Sequence, residues 1–119
     1  MSGLQASRSA PTITAADRRP TALPETAVTL PSLDEFTAAA RARGYDEVLE
    51  RRWAPDTVLD LHTHPFAVDA LVVRGEMWLT VGGTTRHLRP GDRFTLVRDE
   101  PHAERYGADG AAYWAARRH

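Results

Sequence analysis

The chain has 119 residues, 42% of them hydrophobic and 26% charged, with a formal net charge of −1, which suits a single soluble domain with a small core. It has no cysteine, so disulfides, thiolate metal ligands and a cysteine nucleophile are excluded. All 15 basic residues are arginine, which removes lysine chemistry, and the near-neutral balance gives no electrostatic case for nucleic acid or an anionic membrane.

Residues 1–30 are small and polar, with Pro11, Pro20 and Pro24 inside the segment and Pro31 just after it. Such a stretch buries too little apolar surface to offset its ordering entropy, so a flexible tail is expected, with "AVTL" (27–30) able to add a short strand. The start lacks the apolar stretch of a secretory signal, and Arg18 and Arg19 are followed by residues too polar for a twin-arginine signal. No apolar run approaches the ~20 residues of a membrane span. The expected compartment is the cytoplasm.

A domain is expected over 31–119. "PSLDEFTAAARARG" predicts a helix over 32–43: Ser32 and Glu35 form an S-x-x-E capping box, and Gly44 supplies a left-handed stop. Leu33, Phe36 and Ala40 fall on one face. From Tyr45 the pattern changes to short strands, at 45–53, 57–64, 68–74, 77–81, 84–88, 93–97, 102–106 and 111–117. Their separators are rich in Gly, Pro and Asp. Eight short strands at regular spacing predict an all-β sandwich or barrel over 45–117.

Within the second of these strands stands "VLDLHTH". Residues two apart on a strand share a face, so Val58, Asp60, His62 and His64 are expected on one side and Leu59, Leu61 and Thr63 on the other. Two imidazoles at that spacing can converge on one ion with metal–nitrogen bonds of about 2.0–2.1 Å. An isolated H-x-H equally suits one exposed histidine and one satisfied core histidine.

Residues 45–117 resemble the cupin superfamily, small antiparallel β-barrels of jelly-roll type that carry two motifs, G-x5-H-x-H-x3/4-E-x6-G and G-x5-P-x-G-x2-H-x3-N. His62, His64 and Gly75 fall in register with the first, Gly91 and His102 with the second, and "RPGD" at 89–92 matches the turn between strands. Several positions depart from the pattern. Asp56 stands in place of the first glycine, and Val68 in place of the metal-binding glutamate. Val97 and Asp99 replace the second motif's proline and glycine, and Tyr106 its asparagine. Asp69 can serve as the missing ligand only if the strand begins late or carries a bulge, since neighbouring side chains point to opposite faces; otherwise it belongs to a rim or outer-face salt bridge.

The resemblance implies one divalent transition metal, Fe, Zn, Ni, Mn or Cu, on His62, His64 and His102, with Asp69 as a candidate fourth ligand. Glu104 and Tyr106 share a strand face with His102 and are the candidate catalytic residues. Glu104 could be a replacement ligand, a general base, an acceptor that orients an imidazole, or a rim carboxylate paired with Arg105 or Arg117. Tyr106 could bind a substrate oxygen or fill the barrel. Phe66, Trp78, Tyr113 and Trp114 read as core or as the wall of a pocket mouth, and His87 as a surface residue.

By that resemblance the chain is expected to be a mononuclear metal enzyme acting on a small anionic or chelating substrate, with dioxygenation as the nearest analogy. The alternative is a non-catalytic module that binds a small ligand. A homodimer is expected by the same analogy.

Overall fold

The computed structural model describes residues 29–119. The expected tail up to residue 28, with Ala27 and Val28 of "AVTL", lies outside the described residues, and Thr29 and Leu30 belong to no strand. Helix α1 spans Leu33–Ala42. Ser32 Oγ accepts from the Glu35 amide at 3.0 Å, and Glu35 Oε1 accepts from the Ser32 amide at 2.8 Å, so the capping box is complete. Phe36 and Ala40 are buried, but Leu33, expected beside them, opens the helix and stays 41% exposed.

Six strands follow: β1 Glu47–Trp53, β2 Val58–His62, β3 Ala67–Val81, β4 Thr84–Leu88, β5 Arg93–Leu96 and β6 His102–Arg118. All pair antiparallel. Two expected pairs, 68–74 with 77–81 and 102–106 with 111–117, are each one long strand. Their glycines bend the chain instead of ending the ladder. Register shifts between Val72 and Arg74 and between Gly75 and Met77 mark the bend in β3. At this corner the two long strands press together: a Cβ on Gly75 would stand 2.1 Å from the Gly110 carbonyl oxygen.

The bent strands divide the sheet into two facing halves. One runs β1, the C-terminal half of β6, the N-terminal half of β3, then β5; the other runs β2, the rest of β6, the rest of β3, then β4. Val68, Ala70, Val72, Phe94, Tyr113 and Ala115 from the first half meet Met77, Leu79, Leu88 and Tyr106 from the second. Helix α1 covers the outside of the first half, where Phe36 and Ala40 pack on Leu71 and Ala116. The result is a jelly-roll sandwich, open at its edges.

The two motif positions where aspartate stands for glycine keep the backbone that glycine favours. Asp56 has φ 59° and Asp99 φ 62°, the left-handed region that Asp and Asn enter more readily than other side chains.

Candidate metal centre

His62 ends β2 and His102 opens β6, and the two are direct cross-strand partners. His64 lies two residues past β2 and stacks on Phe66, with ring centroids 4.9 Å apart and planes 7° apart. The rings of His62 and His102 are 4.3 Å apart, His64 and His102 4.8 Å, and His62 and His64 5.0 Å. One ring nitrogen from each lies within 4.8 Å of the others.

The strand that delivers His62 does not alternate as expected. A register shift between Leu59 and His62 brings both to the interior, where they line one cavity. Val58, Asp60 and Leu61 face outward, Leu61 with 70% of its surface exposed. Asp60 therefore does not share the histidine face. Its backbone carbonyl serves instead, accepting from His62 Nδ1–H at 2.7 Å. His102 Nδ1–H likewise donates to the Glu100 carbonyl at 2.9 Å. A carbonyl can only accept, so each bond fixes the tautomer whose Nε2 carries a free lone pair.

His102 Nε2 is buried without a hydrogen bond. It lies 3.2 Å from Glu104 Oε2 outside hydrogen-bonding geometry, and His62 Nε2 lies 3.4 Å from the same oxygen. Reading these contacts as ion pairs would put a second proton on both rings, two cations 4.3 Å apart. Ligand atoms about 2.1 Å from a common ion, at angles of about 90–110°, stand about 3.0–3.4 Å apart. The Glu104–imidazole separations match that spacing, and the three imidazole nitrogens, within 4.8 Å of one another, would draw closer to share a divalent ion.

Tyr106 lies behind Glu104, away from the cavity wall. Its hydroxyl donates to Glu104 Oε1, and its ring stacks on Trp53 at 5.2 Å. Burial first, then the neighbouring Tyr113 and Glu104, push its pKa far up, so the hydroxyl stays protonated. His64 is driven the other way, down to about 4, by burial and then by the charges of His102, His62, Arg117 and Arg51. It is neutral at physiological pH, the form a metal requires.

Asp69 is not brought to the histidines. Strand β3 keeps its alternation there, so Val68 faces the cavity and Asp69 the opposite side, beneath α1. Arg43 donates to its Oδ2 at 2.7 Å, and Arg93 stands 3.5 Å from Oδ1. Among the described residues Glu104 has no arginine partner: Arg105 lies over Trp78 at 3.9 Å on the outer face, and Arg117 over Phe66 at 4.5 Å. His87 stacks on Trp78 and meets Glu76 at 2.6 Å.

The cavity has a volume of about 90 Å³. Its wall includes Arg51, Trp53 and Arg117, none of which the sequence had marked as a site residue. Trp53 Nε1 is buried beside the Tyr113 side chain without a completed hydrogen bond. The alternation of β1 is the signal that could have found Arg51 and Trp53, once its phase against the core is known.

A family model described as an AraC-like ligand binding domain matches residues 44–117. The chain belongs to this family. Solved structures similar to the AraC-like domain share its fold. A protein of unknown function from Rhizobium leguminosarum bv. viciae 3841 has TM-score 0.57 and 21% identity, over 60% of this chain and 67% of that one. KdgF from Halomonas sp. has TM-score 0.54 and 20% identity, over 59% and 64%. Oxalate decarboxylase from Bacillus subtilis, a protein with Mn(II) centres, has TM-score 0.55 and 20% identity, over 60% and 20%. The AraC-like domain thus spans under two thirds of KdgF and a fifth of oxalate decarboxylase. Its fold is that of the cupins. No curated protein matches it in sequence. Among the described residues, no helix is long and apolar enough to cross a membrane.

Proposed function

We propose that the AraC-like domain is a mononuclear metal enzyme in which His62, His64 and His102 hold one divalent transition metal and Glu104 completes the donor set. A small anionic or chelating molecule is the substrate. The observation that carries this reading is His102 Nε2, buried, aimed inward by its Nδ1 bond to Glu100, and without a hydrogen bond. An apolar core does not leave such a lone pair unanswered at no cost.

When bound, the ion supplies Lewis acidity or a redox couple, with dioxygenation among the reactions open to it. The chain supplies the rest. Backbone carbonyls of Asp60 and Glu100 hold two imidazoles in the ligating tautomer, and burial keeps His64 neutral. Tyr106 occupies Glu104 Oε1, so that Oε2 is the oxygen facing the rings. Glu104 brings one negative charge, so a divalent centre remains net positive and favours an anionic partner. The affinity order of divalent metals does not select among Fe, Zn, Ni, Mn and Cu at such a mixed site; the Mn(II) of oxalate decarboxylase makes manganese one to assay.

The test is metal content by mass spectrometry on untagged protein. About one ion per chain is expected in the wild type, none in a His62→Ala/His102→Ala variant, and a full complement in Asp69→Asn. Wild-type protein that stays metal-free after reconstitution overturns the reading. The family's description as a ligand-binding domain favours a second reading, in which the metal anchors a ligand without turnover. In that case the loaded protein binds small chelating anions but leaves them unchanged.

A further inference from the structure

We infer that Arg51 and Arg117 form a carboxylate-binding wall of the same cavity, so that the ligand of the AraC-like domain is a short-chain carboxylate. This rests on the metal-centre reading for where the rest of the ligand lies, but the two guanidiniums stand on their own observations.

Both arginines point inward from strands whose inner face is otherwise largely apolar: Arg51 from β1 beside Trp53, and Arg117 from β6 in line with Ala115 and Tyr113. Each guanidinium is laid over an aromatic ring, Arg51 over Trp53 at 4.8 Å and Arg117 over Phe66 at 4.5 Å. A stacked guanidinium keeps its in-plane N–H groups free for a planar, bidentate acceptor. Among the described residues neither guanidinium forms an ion pair with a carboxylate that lines the cavity. Nearby Glu50 faces the other way and is taken by Arg52 and Trp114, and among the described residues Arg51 makes no ion pair. Among the described residues Arg117 forms an ion pair with Glu47 alone, 3.6 Å away and half exposed. The residue directly across from Arg117 on β3 is Val68, which offers no charge. Two cations line one cavity, Arg51 without an ion pair among the described residues and Arg117 with only the half-exposed Glu47, and this favours an anion between them.

Size and wall chemistry narrow that anion. A cavity of about 90 Å³ is well below the ~300–1,000 Å³ of sites for drug-sized ligands, which limits the ligand to a few heavy atoms. Leu59, Phe66, Val68 and Leu96 line the same cavity, so the ligand has a short apolar part. A carboxylate at one end fits the forks, and an oxygen donor at the other faces the histidine end.

Isothermal titration calorimetry with acetate, pyruvate, malonate and succinate, each beside its neutral amide, tests this on metal-loaded and chelator-stripped protein. At least one acid should bind the loaded protein, with its amide weaker by on the order of 10- to 100-fold. Arg51→Gln and Arg117→Gln should each weaken the acid by a similar factor while metal content stays at the wild-type level. In stripped protein the acid should bind more weakly yet keep its sensitivity to Arg51→Gln. If that sensitivity survives in a wild type that takes up no metal, the carboxylate wall stands and the metal reading falls. No saturable binding of any of the four acids, equal affinity for acid and amide, or arginine variants that bind like the wild type would each overturn the proposal.

Discussion

Replacing Tyr106 with Phe separates the hydroxyl from the ring. The ring stacks on Trp53 at 5.2 Å with planes 19° apart, and Phe keeps that contact. What is removed is one O–H donor to Glu104 Oε1 in a place where both side chains are buried. A hydrogen bond to a charged group is worth about 1.5–3 kcal/mol, or about 10- to 150-fold in an equilibrium constant at 1.4 kcal/mol per tenfold. Loss of a group that orients a metal ligand costs about 10–100-fold in metal affinity, so two independent lines agree on the scale. Competition against a chromophoric chelator near neutral pH reads the metal Kd, which should rise about tenfold or more. Because Tyr106 acts through Glu104, a Tyr106→Phe/Glu104→Gln double variant should lose little more than Glu104→Gln alone. A Kd unchanged within about twofold, or losses that add in the double variant, would falsify the positioning role and leave Tyr106 as packing.

Two further outcomes follow from the same coordinates. His64 in the metal-free fold has its pKa lowered from 6.5 to about 4, so between those values the unfolded chain binds a proton that the folded chain does not. Stability of chelator-treated protein should therefore fall as pH drops through that window, and the slope should be shallower in His64→Gln; identical thermal-melting slopes would show that His64 is not the group responsible. Gly75 and Gly82 both have positive φ, 74° and 56°, and a side chain at either carries a left-handed penalty of about 1–2 kcal/mol. Only Gly75 adds a steric overlap, since nothing lies within 4 Å of a Cβ on Gly82. In urea titrations Gly82→Ala should stay near that penalty and Gly75→Ala should fail to fold; similar midpoints would mean that the β3–β6 crossing yields easily.

The parts of this fold that local chemistry dictates were legible. Ser32 and Glu35 mark the helix start because their side chains close two bonds over three residues. Asp56 and Asp99 can stand for glycine because their left-handed backbone is a local property. The readings that depended on where a strand sits against its neighbours were harder. The shift between Leu59 and His62 leaves no mark in "VLDLH", since alternation predicts the faces only while the ladder is regular. Gly75 and the glycines at 107 and 110 look like chain turns, yet β3 and β6 continue through them because each half has a partner strand. Arg51 was hidden by phase. Val48 and Leu49 are both apolar, so either alternation of β1 places an apolar residue inside, and only packing against the core selects the one that turns Arg51 inward.

Under the proposed reading, Glu104 takes the role that the cupin pattern gives to a glutamate at the position of Val68. Val68 and Arg117 are direct partners across β3 and β6, and cross-strand neighbours bring their Cβ atoms within about 5.5 Å. A glutamate at 68 would therefore sit beside the Arg117 guanidinium as well as near the histidines, and its charge would be divided between them. With valine there, Arg117 keeps its charge for the cavity, and the carboxylate beside the imidazoles comes from Glu104, two residues past His102 on β6. Tyr106 holds the other oxygen of that carboxylate, and among the described residues Glu104 forms no ion pair with an arginine. Imidazole, carboxylate and guanidinium groups thereby line one cavity together with apolar side chains. Under the proposed reading, this combination lets a single small anion meet the metal and the guanidiniums at once.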